Sequence, residues 1–263
     1  MIDKIKEVVR RASELMVTDG FEISEKGGCE NIVTSSDVAV QHYLCEHLKD
    51  LIPGAGFRCE EEDLDTGSDK SGWKWIIDPI DGTANYARAI PECAISVALE
   101  HDGEVVAGVV YAPRLGEMYA AEKGKGATCN GRPIHVSDKP FRQGIICTAM
   151  STYHKEFATP CRDIMTDVFM QANDFRRFGS AAVELCFIAA GRADLYFEMR
   201  LMPWDYAAAG FILCEAGGCI CNLSGEWPSL TRADITIAAN SEASLEHLAG
   251  IVRKHVPEKP YDF

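Results

Sequence analysis

A chain of 263 residues with a hydrophobic fraction of 47% and a charged fraction of 25% can bury a substantial core, in one domain or two small ones. Its net charge of −14 argues against nonspecific nucleic-acid binding, which needs clustered lysines and arginines to displace counterions. No apolar run reaches the roughly 18 residues of a membrane span. The opening residues, MIDKIKEVVRRASELM, also lack the uninterrupted apolar core of an export signal. We therefore expect a cytoplasmic protein that binds no membrane and no nucleic acid directly.

Eleven cysteines are scattered along the chain. No Cys-x-x-Cys pair occurs, and the two nearest cysteines are Cys219 and Cys221. In a chain without an export signal, we expect most of them to be reduced and to act as small buried apolar residues. A zinc or redox centre is the less favoured interpretation.

The N-terminal half is predicted to open with two amphipathic helices. In the first, apolar residues recur at helical spacing from Ile2 to Met16. The second follows the segment TSSD, with Ser36 as its N-cap and an apolar stripe that begins at Val40. Residues 53–72 are rich in Gly, Asp and Ser, and we expect them to form a loop that carries a cluster of acids.

Strands dominate the segment after that loop. The run WKWII predicts a strand that ends at Asp78, because Pro79 cannot donate to a ladder and should turn the chain. A hairpin is expected from the strand at 94–100 and the run EVVAGVVYAP, with the Asp-Gly pair at 102–103 as its turn. The Asn-Gly pair at 130–131 indicates a further tight turn between antiparallel strands.

The second half alternates helices and strands. In chain order we expect a small-residue helix at 180–190, a strand at DLYFEM, a helix at 206–216, buried strands at CICNL and DITIAAN, and a last helix opened by Ser241. These elements predict an α+β protein in which mixed sheets are layered with helices. We expect two closely packed halves, residues 1–140 with the segment DPIDGT and residues 141–263 with the segment WDYAAAG.

The stretch WKWIIDPIDGTANY places two aspartates, Asp78 and Asp81, directly after an apolar strand. A turn at Pro79 can bring both carboxylates to one side, with the carbonyl of Ile80 exposed between them. Carboxylates this close repel each other unless a cation lies between them, and hard oxygen ligands favour Mg²⁺ over zinc or copper. The alternative, a strand end with an Asp-capped turn, explains the second aspartate less well.

Residues on either side of the aspartate pair could complete the site. Gly82 lets the backbone approach a ligand, its amide and that of Thr83 can face an anion, and the Thr83 hydroxyl could orient a water. In PWDYAAAGFILCEAGG, Asp205 is either a helix cap or a carboxylate that reaches the metal site from the second half. Either Glu60 or Glu61 could add a ligand, although an acidic run is usually a solvated face.

These motifs together resemble those of the inositol monophosphatase family of Mg²⁺-dependent, Li⁺-sensitive phosphomonoesterases. The segment WIIDPIDGTANYARAIPECAISVAL is similar to the first family signature and WDYAAAGFILCEAGG to the second. The connecting segments GKGATCNGRPIHVS, FGSAAVELC and LYFEM agree as well, so the resemblance covers about residues 1–250.

The resemblance implies a layered αβαβα sandwich that is usually a homodimer, and it implies a role for each matching residue. Two or three Mg²⁺ ions would be held by Glu60, Asp78, the carbonyl of Ile80, Asp81 and Asp205. Glu60 and Thr83 would position the attacking water, and Asp37 would support Thr83. The phosphate and neighbouring substrate groups would contact Asp81, Gly82, Thr83, Ser180 and Ala181. Hydroxyls of the alcohol portion would bind Glu198 and Asp205.

The activity implied is metal-dependent hydrolysis of a small phosphomonoester, with myo-inositol monophosphate as the expected substrate. The spacing Asp-x-x-Asp differs from the Asp-x-Asp-x-Thr of the haloacid-dehalogenase phosphatases, which use a covalent nucleophile. Lys26 is either a surface lysine or a group that steers phosphate.

The identity of the substrate stays open at this point. Arg200, Met202 and Pro203 depart from the inositol-specific members, so another phosphorylated polyol or sugar fits as well. Fructose 1,6-bisphosphate, histidinol phosphate, NADP and phosphoadenosine phosphate are all accepted within the superfamily. Some members instead act as regulatory binding proteins, including in RNA-polymerase complexes. The intact set of ligand residues favours the enzyme.

Overall fold

The computed structural model describes residues 1–17, 19–28, 31–61, 71–151 and 154–256. Its larger sheet has seven strands that pair in chain order: β3 (Gly56–Cys59), β4 (Trp73–Asp81), β5 (Ala94–His101), β6 (Glu104–Ala112), β7 (Glu117–Glu122), β8 (Ala127–Cys129) and β9 (Arg132–Ile134). β3 runs parallel to β4, and every other neighbouring pair is antiparallel. A small hairpin precedes this sheet and consists of β1 (Ile23–Gly28) and β2 (Asn31–Thr34).

A second sheet of five strands has the order β11-β10-β12-β14-β13. Its strands are β10 (Ile145–Thr148), β11 (Asp174–Arg176), β12 (Leu195–Leu201), β13 (Cys219–Cys221) and β14 (Asp234–Ala239). β10 is parallel to both β11 and β12, whereas β14 is antiparallel to both of its neighbours. The carboxyl ends of three adjacent strands therefore meet at one edge of this sheet.

Helices cover both sheets and fill the space between them. They are α1 (Ile2–Ala12), α2 (Ser35–Leu48), α3 (Thr83–Ala87), α4 (Ala158–Phe169), α5 (Ala181–Ala189), α6 (Pro203–Glu215) and α7 (Glu242–His255). α1 and α2 pack on the outer face of the larger sheet, α5 and α6 lie between the sheets, and α4 and α7 cover the smaller sheet. The expected αβαβα sandwich is confirmed. In the described part of the chain, no helix has the length and apolar character needed to cross a bilayer.

The two central helices explain the small-residue runs of the sequence. Nearly every residue of α5 is buried, and so are the six consecutive residues from Tyr206 to Phe211 of α6. A helix that is apolar on all sides is typical of one that is covered on all sides. Small side chains let the backbones approach closely, and a Cβ built on Gly108 of β6 would lie 2.7 Å from the carbonyl oxygen of Ala208.

We predict that Gly108→Ala destabilises the protein by about 1–3 kcal/mol, because the added methyl group overpacks a contact between two backbones. Gly250→Ala is the matched control, since a Cβ at Gly250 in α7 would meet no heavy atom within 4 Å. That substitution should be neutral or stabilising, because alanine is the better helix former. Chemical denaturation of both variants would measure the difference. Equal stabilities would contradict the close packing of α6 on β6.

Both expected tight turns are confirmed. Asp102 and Gly103 have φ values of 50° and 85°, and Asn130 and Gly131 have φ values of 51° and 76°. Two consecutive residues with positive φ suit the twist of a two-residue hairpin, which is why Asp-Gly and Asn-Gly are preferred there.

Three local predictions were wrong in detail. The N-cap of α2 is Thr34 rather than Ser36, because Thr34 is extended and its side chain accepts a hydrogen bond from the amide of Asp37. α6 begins at Pro203, three residues before the expected start, since proline fits the first turn of a helix. The acidic loop at 53–72 contains the short strand β3, and its residues 62–70 lie outside the described residues. The division into halves at residue 140 stays a proposal.

Candidate active site

A bulge in β4 brings Asp78 and Asp81 together. Asp78 pairs with Ser96 of β5 and Asp81 pairs with Ala94, so three steps on β4 match two steps on β5. The strand therefore continues through Pro79 to Asp81, where we had expected it to end at Asp78. Pro79 cannot donate to the ladder, and the bulge accommodates this without ending the strand. An extra residue also changes the face that later side chains occupy, as the expected turn would have done.

Asp205 completes a cluster of three carboxylates. Asp78, Asp81 and Asp205 each offer an oxygen, and these oxygens lie within 4.8 Å of one another. Asp205 belongs to the first turn of α6, where its carboxylate accepts a hydrogen bond of 2.7 Å from the amide of Met202, which is the N-cap. The cluster therefore joins β4 of the larger sheet to a helix of the central layer. Asp205 stabilises the helix start and also reaches the aspartate pair.

Burial makes this cluster electrostatically costly. It raises the pKa of Asp78 well above its usual range, and the charges of Glu60, Asp81 and Asp205 raise it further. Burial likewise raises the pKa of Asp205, with Asp81 and Glu60 as the next causes. The pKa of Asp81 rises to about 6 by burial, although hydrogen bonds from Ser180 and Ala182 oppose the rise. Carboxylates in this state favour either protonation or a bound cation.

The start of α5 fixes the orientation of Asp81. Its Oδ2 accepts a hydrogen bond of 2.6 Å from the hydroxyl of Ser180 and one of 2.7 Å from the amide of Ala182. Ser180 is the N-cap of α5, and its side chain also accepts a hydrogen bond from Val183. Ser180 and Ala181 both line the cavity beside the cluster, as does Gly82. The sequence analysis did not predict the role of Ala182, because its backbone amide is the donor and any residue type except proline could provide it.

Thr83 lies between the cluster and a buried carboxylate. Its hydroxyl is 3.1 Å from Oδ1 of Asp37 and 3.0 Å from the carbonyl oxygen of Ile80. Oδ2 of Asp37 accepts hydrogen bonds from the amide and the hydroxyl of Thr34, at 2.8 and 2.5 Å. Burial raises the pKa of Asp37, and the hydrogen bonds from Thr34 limit the rise. The capping box of α2 therefore also holds the carboxylate that orients Thr83.

The two candidate glutamates occupy different environments. Glu60 lines the cavity, whereas Glu61 is buried and its amide donates a hydrogen bond of 3.0 Å to the side chain of Gln41. Lys26 reaches both, at 3.2 Å from Glu60 and 2.5 Å from Glu61. Burial raises the pKa of Glu61 to about 7, although the hydrogen bond from Lys26 opposes the rise. Glu60 is thus the glutamate that the cavity exposes beside the cluster.

A cavity of about 580 Å³ contains the cluster. Every predicted site residue except Asp37 lines it: Glu60, Asp78, Ile80, Asp81, Gly82, Thr83, Ser180, Ala181, Glu198 and Asp205. Asp37 lies one hydrogen bond behind Thr83. Glu198 accepts a hydrogen bond of 2.7 Å from the hydroxyl of Tyr196, and burial raises its pKa to about 7.

Sequence reasoning missed several cavity residues. Glu184 is buried in α5 and accepts hydrogen bonds from the amides of Phe178 and Gly179, at 2.5 and 3.0 Å. Burial raises its pKa to about 8. The available signal was a single acid in the apolar run SAAVELCFIAA. Three basic side chains that line the cavity were missed as well: Arg88, His154 and Arg177. Arg200, which the sequence analysis singled out, lines the cavity too.

The donor set of the cluster fits Mg²⁺. Three carboxylate oxygens converge in a buried place, and the Ile80 carbonyl and Glu60 border the same cavity. Oxygen ligands of this kind suit a hard cation, whereas zinc and copper sites usually contain histidine or cysteine. Burial and then mutual repulsion raise the pKa values of Asp78 and Asp205, and a divalent cation would offset both.

The whole chain is similar to proteins of one family. The family model described as the inositol monophosphatase family matches residues 1–257. The putative Nus factor SuhB of Neisseria meningitidis serogroup B is 34% identical over 252 residues, which cover 94% of this chain and 95% of that protein.

Solved structures agree with the sequence comparison. The extragenic suppressor protein suhB of Bartonella henselae has a TM-score of 0.87 at 31% identity, and the match covers 96% of this chain and 98% of that chain. An IMPase of Thermotoga maritima has a TM-score of 0.84 at 28% identity, with 96% of each chain covered. The sequence, the layered fold and the carboxylate site lead to one conclusion: this chain belongs to the inositol monophosphatase family.

Proposed function

We propose that the protein is a phosphatase that hydrolyses a small phosphomonoester with Mg²⁺, and that myo-inositol monophosphate is a substrate. The observation that carries this proposal is the cluster of Asp78, Asp81 and Asp205, of which the first two are buried and the third half-buried, in the 580 Å³ cavity. A cluster of like charges has no stabilising role of its own, so a site for cations is its best explanation. Family membership supports the reaction class.

The same residues would hold the metal. Asp78, Asp81 and Asp205 would supply carboxylate oxygens to two or three Mg²⁺ ions, with Glu60 and the carbonyl of Ile80 as further ligands. When bound, Mg²⁺ lowers the pKa of water and offsets the charge of the phosphate. Ser180 and the amide of Ala182 hold Asp81 in one orientation, which leaves its second oxygen available as a ligand.

Thr83 and Asp37 would orient the attacking water. The single hydroxyl hydrogen of Thr83 points to Asp37 or to the Ile80 carbonyl, so its lone pairs remain to accept a hydrogen bond from a water in the cavity. Asp37 is buried and held by Thr34, which fixes the direction of the Thr83 hydroxyl. Glu60 borders the same space and would share this task. No covalent intermediate is required.

We predict that Thr83→Val lowers kcat by about 100-fold or more, because the isosteric side chain cannot orient the water. Thr83→Ser is the matched control: it keeps the hydroxyl and should keep most of the activity. Steady-state rates of phosphate release at saturating Mg²⁺ would measure both. A Thr83→Val protein with a third or more of the parental kcat would rule out this role.

The substrate would lie across the cavity from the water. The amides of Gly82 and Thr83, with Ser180 and Ala181, would receive the phosphate and its neighbouring groups, and Asp81 would contribute to the same binding site. Glu198 and Asp205 would accept hydrogen bonds from hydroxyls of the alcohol portion. The hydroxyl of Tyr196 holds the Glu198 carboxylate in place for such contacts.

The proposal is tested by phosphate release from a panel of phosphomonoesters with Mg²⁺, with EDTA and with added Li⁺. The panel holds myo-inositol 1-phosphate, fructose 1,6-bisphosphate, histidinol phosphate, phosphoadenosine phosphate and NADP. We expect release that requires Mg²⁺ and is inhibited by Li⁺, with myo-inositol 1-phosphate among the substrates. If only another member of the panel is hydrolysed, the protein is a phosphatase but myo-inositol monophosphate is not its substrate. No turnover of any member would overturn the proposal.

We also propose that the protein is a homodimer. Three apolar side chains at the edge of the smaller sheet are exposed: Phe169 by 52%, Met170 by 78% and Phe175 by 43%. Phe169 and Phe175 contact each other edge to face, and Phe175 belongs to the edge strand β11. Contiguous exposed apolar groups of this kind mark association surfaces.

Phe175→Glu should yield a monomer in light scattering, whereas Ile23→Glu, an exposed apolar position on β1, should not. A dimeric Phe175→Glu protein would contradict this surface.

A second candidate function follows from the name of a relative. The similar protein of Neisseria meningitidis is called a putative Nus factor, so this chain could act through a regulatory partner. The acidic net charge of −14 favours a protein partner over direct contact with RNA. A catalytically inactive variant with full biological activity would favour this role, and loss of both together would favour the phosphatase. A cytoplasmic location stays a prediction.

A further inference from the structure

Three polar residues meet at the carboxyl edge of the smaller sheet. β11, β10 and β12 are adjacent and parallel, with Cys147 of β10 in register with Arg176 of β11 and Tyr196 of β12. Arg177 directly follows β11, Ser151 lies just beyond β10, and Arg200 lies near the end of β12. Ligands of sheets with parallel strands bind in the crevice outside such ends. The sheet order therefore gathers these residues although they are far apart in the sequence.

All three residues line the cavity that contains the carboxylate cluster. Burial raises the pKa of Glu198 and the charge of Arg177 opposes that rise, so the guanidinium lies near the carboxylate expected to bind the alcohol portion of the substrate. Arg200 follows Glu198 by two residues on β12, and it makes no hydrogen bond or ion pair with any residue that the structure describes. Its charge adds at longer range to the lowering of the pKa of Glu156, which comes mainly from hydrogen bonds.

Ser151 gives an independent sign of a ligand. It has a φ of 46°, which is uncommon for a residue other than glycine, and it is 4% exposed. Its buried hydroxyl has no hydrogen-bond partner within the described ranges. A buried hydroxyl without a partner costs free energy unless a ligand or water completes it.

We propose that Arg177, Arg200 and Ser151 form a subsite for a second phosphate group on the alcohol portion of the substrate. The inference rests on the proposed phosphatase function and refines it: the preferred substrates are polyols or sugars that carry two phosphates, of which the one at the carboxylate cluster is cleaved. Two guanidinium groups match the charge and the oxygen geometry of a phosphate ester, and a hydroxyl donor adds a third contact. A neutral polyol would leave Arg200 without an anionic partner from the substrate.

The neighbouring Arg176 differs in its surroundings and serves as the control. It pairs with Asp174 at 2.6 Å, and it is not among the residues that line the cavity. Arg176 and Arg177 thus have the same charge and adjacent places in the chain, but only Arg177 faces the proposed subsite.

The test compares kcat/KM within matched substrate pairs in the presence of Mg²⁺. The pairs are myo-inositol 1-phosphate with myo-inositol 1,4-bisphosphate, and glucose 1-phosphate with glucose 1,6-bisphosphate. We expect the parental protein to prefer the bisphosphate of at least one pair by about tenfold or more, the effect of one or two charge-assisted hydrogen bonds. Arg200→Ala should lower this preference ratio by about tenfold, Arg177→Ala by a similar factor and Ser151→Ala by less. Arg176→Ala should leave the ratio unchanged.

Calorimetric binding of the same pairs separates failure of the subsite from failure of the function. If no member of either pair is hydrolysed, the phosphatase proposal is overturned. The affinity for each bisphosphate relative to its monophosphate then still tests whether the subsite exists. If the monophosphates are cleaved and the bisphosphates are neither preferred nor bound more tightly, the subsite is overturned while the function stands. Arg200→Lys keeps the positive charge and serves as a second variant in case Arg200→Ala fails to fold. It should retain part of the preference for the bisphosphate. A ratio equally insensitive to Arg177→Ala and Arg200→Ala would also overturn the subsite.

Discussion

Asp205→Asn should abolish Mg²⁺-dependent phosphate release and at the same time raise the melting temperature of the metal-free protein. The substitution removes one of three clustered carboxylates, and the amide oxygen can still accept the hydrogen bond from Met202. Losing a metal ligand should lower kcat/KM by about 1,000-fold or more, because metal ions supply several kcal/mol of transition-state stabilisation. Relief of like-charge repulsion should raise the melting temperature in EDTA by several degrees, since about 1 kcal/mol corresponds to roughly 2–4 °C for a chain of this size.

The control for Asp205→Asn is a buried aspartate outside the cluster. Asp194 is 1% exposed and accepts hydrogen bonds from the hydroxyl of Ser137 and, at 2.8 Å, from the amide of Ile145. Asp194→Asn should not raise the melting temperature, because its carboxylate is matched by donors rather than opposed by acids. An Asp205→Asn protein with unchanged Mg²⁺ dependence and rate would show that Asp205 is not a metal ligand. A lower melting temperature in EDTA would mean that the cluster is not under electrostatic strain.

The second large effect is a stability that depends on pH and Mg²⁺ together. Burial raises the pKa of Asp81 from 3.8 to about 6, so its folded form binds a proton more tightly than its unfolded form. That contribution to stability is fully present below about pH 4 and is lost as the pH rises through about 6. For Asp81 alone it amounts to about 3 kcal/mol, or roughly 6–12 °C in melting temperature.

Other buried acids extend this loss to higher pH. The pKa values of Glu198 and Glu184 are raised to about 7 and about 8. In EDTA the melting temperature should therefore fall steadily between about pH 5 and pH 8. Mg²⁺ binds the deprotonated carboxylates, so its stabilising effect should grow over the same range.

Differential scanning calorimetry between pH 5 and pH 8.5, in EDTA and in Mg²⁺, would measure both slopes. Asp205→Asn is the internal control, because its smaller cluster should give a shallower fall in EDTA. A melting temperature in EDTA that rises with pH, or a Mg²⁺ effect of equal size at pH 5.5 and pH 8, would contradict the electrostatic interpretation of the cluster.

Local features of this protein could be predicted from the sequence wherever a short segment determines its own geometry. The hairpin turns at Asp102-Gly103 and Asn130-Gly131 depend only on residues that accept positive φ. The DPIDGT segment likewise carries its two aspartates within four residues, and a bulge replaces the expected turn without separating them. The αβαβα layering was expected from the family resemblance, and it agrees with the helix runs that are apolar on every side.

Features that depend on contacts between distant segments could not be predicted from the sequence. β3 is four residues long within an acidic loop, and it is stabilised by pairing with β4 rather than by its own pattern. The choice between Glu60 and Glu61 needed the position of Gln41, which holds the amide of Glu61 away from the cavity. Arg177 and Ser151 line the same cavity as Glu198 because of the order of β11, β10 and β12. A sequence gives no strand order for a mixed sheet, so the structure was needed to add Arg177 and Ser151 to the side of the cavity that the sequence had assigned to Glu198 and Arg200.

The account depends most on a divalent cation bound by Asp78, Asp81 and Asp205. A crystal soaked in Mn²⁺, whose anomalous scattering identifies it, tests this directly. We predict an anomalous peak between the three carboxylates, at about 2.0–2.2 Å from their oxygens as for hard octahedral cations. The peak should be lost in Asp205→Asn crystals. Crystals that bind Mn²⁺ elsewhere, or show no peak at the cluster at millimolar Mn²⁺, would contradict the metal site and with it the proposed hydrolysis.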